Sequence, residues 1–131
     1  MTKSILLSII TVNKNDGYHE NQLQRTKFIL NYLTHSLNKL NAVYKVEYLI
    51  VDWGSTEPFS NFLYKEVSMC PAIKFINVPA EETAKCELNF DVSEAFNIGI
   101  KNSLGEHVML SSTDLFFPLS VFNNLLNILE K

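Results

Sequence analysis

The sequence has few of the residues that mark disulfide scaffolds or metal clusters. Its 131 residues include two cysteines, Cys70 and Cys86, and neither has a CxxC partner or a histidine at metal-ligand spacing. This pattern predicts two free thiols in a reducing compartment. The apolar run near the start is short and β-branched, and no small-residue cleavage site follows it, as a signal peptide would require. We therefore expect a cytoplasmic protein.

Excess positive charge and long apolar runs are also missing. The formal net charge is −3 and the pI is about 5.6. No basic stripe indicates a nucleic-acid partner, and no polybasic arm indicates an anionic membrane surface. No run approaches the length of a membrane span. With only four glycines, the chain has neither a GxGxxG fingerprint nor a P-loop, which weakens the case for an unrelated doubly wound nucleotide binder.

What the chain does have is a regular alternation of apolar runs and amphipathic segments, without a linker or repeat. Residues 1–131 are enough for one domain with one core. Strands are predicted over residues 4–12, 45–52, 73–78 and 107–110. Helices are predicted over residues 20–40, 58–71, 91–103 and 119–129, with 80–90 as a loop containing a turn of helix. This β-α order predicts a three-layer α/β domain with a mainly parallel sheet and right-handed crossovers.

One stretch combines a buried strand with a polar exit. Residues 48–51 are apolar, and Asp52 follows them, before Trp53 and the turn formers Gly54 and Ser55. Ligands of open α/β sheets sit outside the carboxyl ends of the strands, where Asp52 is expected. A buried carboxylate needs a partner, and a base N–H or a ribose hydroxyl would supply one. Asp52 as a helix cap or a turn former is the alternative.

Four segments in order carry a family resemblance. They are Ser8 to Asn15, Tyr48 to Thr56, Glu94 to Lys101 with Gly105 to Val108, and Leu110 to Pro118. The chain resembles the nucleotide-sugar-binding half of the family 2 glycosyltransferases of the GT-A fold, with Tyr48 to Thr56 similar to the family's I-V-D-D-G-S-T segment. The likeness extends from about Ser4 to Pro118.

The resemblance implies a GT-A-like domain that transfers a sugar from a nucleotide-diphosphate donor, a UDP-sugar, to a saccharide or other hydroxyl acceptor. In the family, the residue matching Asp52 reads the uracil or ribose, and Thr11 and Val12 match positions that line the base pocket. The donor site implied by the resemblance comprises Thr11, Val12, Asn13, Asp52, Gly54, Asn97 and Ser112. Phe96 stands where the family often has arginine.

The chain departs from the family at the metal motif. The family presents two carboxylates to a divalent cation, Mg²⁺ or Mn²⁺, but Ser111 and Thr113 occupy those positions here. Only Asp114 remains as a carboxylate ligand, and one carboxylate with hydroxyls is a poor cage for these cations. The family's general base lies well downstream of this motif, so it is expected beyond Lys131.

Two functions therefore remain open at the sequence level. The first is a glycosyltransferase or its donor-binding part, and the second is a non-catalytic nucleotide-sugar-binding or scaffold module. Lys14 is interpreted as a solvated loop lysine, with a contact to the diphosphate as the alternative. Ser55 has no partnered histidine and no nucleophile-elbow pattern, which argues against a hydrolase.

Overall fold

A parallel sheet is the centre of the fold in the computed structural model, which describes residues 4–16 and 21–131. The strands are β1 (Leu7–Asn13), β2 (Val46–Trp53), β3 (Ile73–Val78) and β4 (His107–Leu110). The helices are α1 (Gln22–Lys39), α2 (Tyr64–Met69), α3 (Ala80–Thr83), α4 (Val92–Asn102) and α5 (Leu119–Leu129). The strand order is β3-β2-β1-β4, and every pairing is parallel.

The two middle strands are buried on both faces, which explains their continuous apolar sequences. All residues of β2 are buried, and so are all of β1 except Val12. By contrast, β4 lies at one edge, and Val108 and Leu110 are about half exposed at 44% and 53%. The sheet is therefore well covered at its centre and open along β4.

Helices cover the two faces of the sheet and make a three-layer structure. On one face, α1 and α5 bring Leu30, Leu37 and Phe122 into a core with Ile9 and Ile50. On the other face, α4 packs Ala95 in a smaller core that includes strand residues of β1 and β2. A Cβ on Gly99 would stand 2.4 Å from Ile10 Cγ2, so α4 needs a glycine there to approach β1 so closely.

The predicted α/β fold with a parallel sheet is confirmed, and the bounds of β3, β4 and α5 agree with the sequence prediction. The start of the first helix at Glu20 lies outside the described residues. Asp91 is the cap of α4, because its carboxylate accepts a hydrogen bond of 3.0 Å from Glu94 N.

The single helix predicted after Pro58 is wrong in detail. The segment forms a 3₁₀ turn, Phe59–Asn61, and then the separate helix α2. The helical periodicity is interrupted between them, so Phe62, which was expected to face inward, is 43% exposed. Phe59 and Leu63 are buried as expected.

No helix in the described part of the chain has the length and apolar character to cross a membrane.

Candidate functional site

The strand order identifies one place where a ligand site is expected. The chain runs outward from β1 through β2 to β3, and then returns to place β4 on the other side of β1. Open α/β sheets bind ligands at such a reversal, beyond the carboxyl ends of the strands. Here those ends are Asn13 of β1 and the segment that follows Leu110 of β4.

A cleft of about 420 Å³ lies at this reversal, within the usual range for small-molecule sites. Hollows of about 400 and 380 Å³ lie instead near the amino ends of the strands, so position rather than volume selects the cleft. The residues that line the cleft come from the end of β1, the start of α1, the segment before α4 and the segment after β4. They are Val12, Asn13, Lys14, Asp16, Gln22, Asn89, Phe90, Ser112, Thr113 and Asp114.

Asn13 connects the walls of the cleft. Its Nδ2 donates to Thr113 Oγ1 at 3.1 Å, across 100 positions of sequence. Its Oδ1 accepts from Lys14 N at 2.9 Å and from Gln22 Nε2. Asn13 is only 4% exposed, and this one amide fixes the ends of β1, α1 and the β4 exit relative to one another.

Lys14 is held over the cleft by a neutral residue. Its Nζ donates to the backbone oxygen of Asn89 at 2.8 Å and to Asn89 Oδ1 at 3.0 Å. Neither acceptor carries a charge, so these bonds orient the ammonium group without cancelling its charge. This position differs from the solvated loop lysine expected from the sequence.

The segment after β4 is folded tightly and anchored on α1. Ser111 N donates to Ile10 O at 2.9 Å, and Asp114 N donates to Ser112 Oγ at 3.2 Å. Phe116 packs against Tyr32 and Phe28 of α1, with ring centroids 5.0 and 6.3 Å apart. Because of this anchor, Ser112, Thr113 and Asp114 line the cleft.

Asp52 lies deeper than the cleft. It is 1% exposed, and the chain itself supplies the partners that the sequence analysis assigned to a ligand. One carboxylate oxygen accepts from Ser55 Oγ, and the other accepts from Phe59 N at 2.8 Å. Burial raises the pKa of Asp52 above its ordinary value, and the hydrogen bonds from Ser55 and Phe59 offset only part of that shift.

Asp52 is nevertheless connected by hydrogen bonds through Ser55 to the loop after β1, which borders the cleft. Ser55 Oγ, which donates to Asp52, accepts from Asn15 N at 2.8 Å. Asn15 Nδ2 also donates to Glu57 O at 2.9 Å, so the loop after β1 is tied to the loop after β2. In this arrangement Asp52 positions the β1 loop that carries Lys14.

The other residues expected in the donor site divide into two groups. Val12, Asn13, Ser112 and Asp114 come together at the cleft. Thr11 does not, because its buried hydroxyl donates to Leu49 O at 3.1 Å inside the sheet. Asn97 lies exposed on α4, apart from the residues that line the cleft.

Gly54 has a clear part in the turn after β2. Its φ is +62°, and a Cβ there would stand 2.1 Å from Thr83 Oγ1. Its N–H donates to Val78 O at 2.9 Å, which ties the turn to the end of β3. The positive φ and the close approach of Thr83 both require glycine at this position.

Sequence reasoning missed several residues of the cleft. Gln22 could have been found, because the first turn of a helix after β1 must lie near the end of that strand. Its Oε1 is buried and has no hydrogen-bond partner in the part of the chain that the structure describes. Asn89 and Phe90 lie in a segment of weak periodicity, which gave no signal for them.

The residues at the metal-motif positions do not fit a cation held by two carboxylates. Thr113 is 5% exposed, and its hydroxyl accepts from Asn13. Asp114 Oδ1 lies 3.9 Å from Arg25 Nε, so its charge already faces a cation of the protein. Within residues 4–16 and 21–131, no three His, Cys, Asp or Glu side chains are grouped to hold a metal ion.

Comparison with solved structures places the fold. A crystal structure of Staphylococcus aureus TarS matches with a TM-score of 0.64 and 17% identity, over 96% of this chain and 20% of that one. A structure of S. aureus TarS residues 1–349 matches with a TM-score of 0.64 and 16% identity, over 96% of this chain and 32% of that one. The chain thus spans between a fifth and a third of the TarS chains that it matches.

At this identity the match shows the fold alone. The chain has an α/β fold like that of a glycosyltransferase domain. No protein-family model matches the sequence. A search of curated proteins also finds no match.

Proposed function

We propose that this chain binds the nucleotide of a UDP-sugar in the cleft beyond the carboxyl ends of β1 and β4, as the donor-binding part of a family 2 glycosyltransferase. The observation that carries the proposal is the position of the cleft. It lies at the reversal of strand order in a glycosyltransferase-like fold, and Asn13, Lys14 and Ser112 line it. Two free thiols, Cys70 and Cys86, support a reducing compartment such as the cytoplasm.

The groups around the cleft suit a nucleoside diphosphate. Ser112 offers a hydroxyl group for a ribose hydroxyl or a base N–H, and Asn13 and Gln22 add amide groups to the lining of the cleft. Lys14 offers a charged donor for phosphate oxygens. Phe90 adds an apolar surface beside them. Together these groups would orient the donor relative to the acceptor.

The proposed reaction is transfer with inversion at the anomeric carbon. The acceptor oxygen forms a bond to that carbon, the carbon–oxygen bond to the diphosphate breaks, and its electron pair leaves with UDP. The acceptor proton passes to a base, for which residues 1–131 offer no assignment. Residues at the cleft would accelerate the step by orientation and by stabilising the charge of the leaving diphosphate.

Titration of ¹⁵N-labelled protein with UDP tests the binding proposal. We expect the amide signals of Asn13, Lys14 and Ser112 to shift with UDP concentration, while those of Lys101 on α4 stay unchanged. An N13A variant should weaken binding by about tenfold, because the amide joins three elements around the cleft and a lost buried hydrogen bond costs roughly 1–3 kcal/mol. UDP that shifts no signal at the cleft would reject the proposal.

A non-catalytic binding module is the second candidate, and the metal-motif residues favour it. Ser111 and Thr113 replace the acidic pair, and Asp114 is paired with Arg25. Release of UDP from a UDP-hexose, measured with and without a sugar acceptor, separates the two candidates. Turnover supports a transferase, whereas saturable binding without turnover supports a module.

A further inference from the structure

Two cations of the protein stand at the cleft. Lys14 lines it directly, and Arg25 lies on the first turns of α1 beside Asp114. Asp114 borders both this cleft and an adjoining hollow of about 300 Å³ that Arg25 also lines. Asp114 therefore connects the cleft that Lys14 lines with the hollow that Arg25 lines.

Lys14 is prepared for an anion by its hydrogen bonds. The two bonds from Nζ go to oxygen atoms of Asn89, which leaves one N–H of the ammonium group for a ligand. Because these partners are neutral, they do not cancel the positive charge of Lys14. A phosphate oxygen would complete the coordination and gain a charge-assisted hydrogen bond.

Arg25 is held loosely. Its Nε lies 3.9 Å from Asp114 Oδ1, and the two side chains are 46% and 45% exposed. Ion pairs this exposed contribute little, so exchanging the carboxylate for a phosphate costs little. The guanidinium group can also bind two phosphate oxygens at once, which a single Asp114 oxygen does not use.

The hydroxyl groups that replace the family's acidic pair cannot supply comparable charge. Ser111 and Thr113 are uncharged, and Thr113 already accepts a hydrogen bond from Asn13. Asp16 and Asp114 are the carboxylates that line the cleft, and within the described residues no three His, Cys, Asp or Glu side chains are grouped to hold a metal ion. The cleft therefore offers only a weak ligand set for a metal ion.

We propose that Lys14 and Arg25 neutralise the diphosphate of the bound nucleotide in place of a divalent cation. This inference rests on the proposed function and adds that UDP binding needs no metal. Asp114 then regulates the site by pairing with Arg25 when the diphosphate is absent.

Calorimetry of the full 131-residue chain with UDP tests this inference, in buffer with EDTA and in buffer with Mg²⁺ or Mn²⁺. We expect the two dissociation constants to agree within about twofold, since no step of binding uses the cation. K14M should weaken UDP binding by about tenfold but leave uridine binding unchanged, because uridine carries no phosphate. K101M, on the exposed end of α4, is the matched control and should bind UDP like the unaltered chain.

Variants of Arg25 and of its partner Asp114 should change UDP binding in opposite directions. R25M should weaken UDP binding, and R25K should restore part of it, because lysine keeps the charge but loses the bidentate geometry. D114N should bind UDP at least as tightly as the unaltered chain in EDTA, because it frees Arg25. If Asp114 instead ligates a metal ion, D114N would abolish a cation-dependent affinity.

The outcomes separate this inference from the function on which it rests. Binding of UDP that appears only with Mg²⁺ or Mn²⁺ would retain the proposed function and overturn the metal-free mode. Equal affinity of K14M and the unaltered chain for UDP would also overturn it. The absence of UDP binding under both conditions would overturn the proposed function itself.

Discussion

Asp52 shows how one buried carboxylate shapes a site without lining it. Its oxygens accept from Ser55 and Phe59, and Ser55 in turn accepts from the loop that carries Lys14. The residue is therefore a positioning residue in this geometry, and direct contact with a nucleotide stays a prediction. The position of Asp52 at the end of a buried strand was readable from the sequence. The groups that donate to its carboxylate were not readable, because the fold of the segment between Asp52 and Phe59 decides which donors reach it.

The raised pKa of Asp52 gives a pH prediction. Its ordinary value is 3.8, and burial raises the value in the folded protein. The folded state thus binds the proton more tightly than the unfolded state, so its contribution to stability is complete below 3.8 and is lost as the pH rises through the folded pKa. The asparagine of D52N cannot ionise, so the free energy of unfolding of D52N should not show this loss.

Urea unfolding at a series of pH values measures the effect. The free energy of unfolding of the unaltered chain, minus that of D52N, should decrease as the pH rises from below 3.8. E87Q, which changes an exposed carboxylate, should show no such trend. A difference that is flat or increases with pH would contradict the assignment.

Among the elements, β2 carries a second buried carboxylate at its other end. Glu47 is 1% exposed and accepts from Leu104 N at 2.6 Å, from Ser8 Oγ at 2.5 Å and from Lys74 Nζ at 3.2 Å. Burial alone would raise the pKa of Glu47, but these three donors lower it overall. Glu47 thus joins β1, β3 and the segment between α4 and β4.

Replacing Glu47 tests that role. E47Q removes the charge that the three donors share, and we expect it to lower the free energy of unfolding by about 2–3 kcal/mol at neutral pH. The loss should shrink as the pH falls through the lowered pKa, because the unaltered chain then loses the same charge. E81Q on the exposed surface of α3 is the control. An E47Q protein as stable as that control would show that the network contributes nothing.

The order of the strands explains why the fold was easier to predict than the site. Periodicity identified each strand and most helices, and the alternation of β and α indicated a parallel sheet. Periodicity carries no information on which strands are neighbours. Only the placement of β4 beside β1 brings Thr113 to Asn13, and it leaves Asp52 one strand away from the reversal.

For the molecule as a whole, burial predicts a gradient of local stability across the sheet. Amides of β1 and β2 lie between buried layers, whereas β4 is an edge strand with half-exposed side chains. We expect amide hydrogen exchange to be slowest in Ile9, Ile10 and Ile50, and much faster in His107 and Val108. Mass spectrometry or NMR after transfer to D₂O measures this. Equal protection of β1 and β4 would contradict the gradient.

The central place of β1 also matters while the chain is being made. Leu7 pairs with Val46 on one side and with His107 on the other, so one flank of the strand has no partner until about a hundred further residues have left the ribosome. At about 5–20 residues per second, that interval lasts roughly 5–20 seconds. During this time a nascent chain exposes the edge of a strongly apolar strand, and binding by a chaperone would protect it from joining other chains.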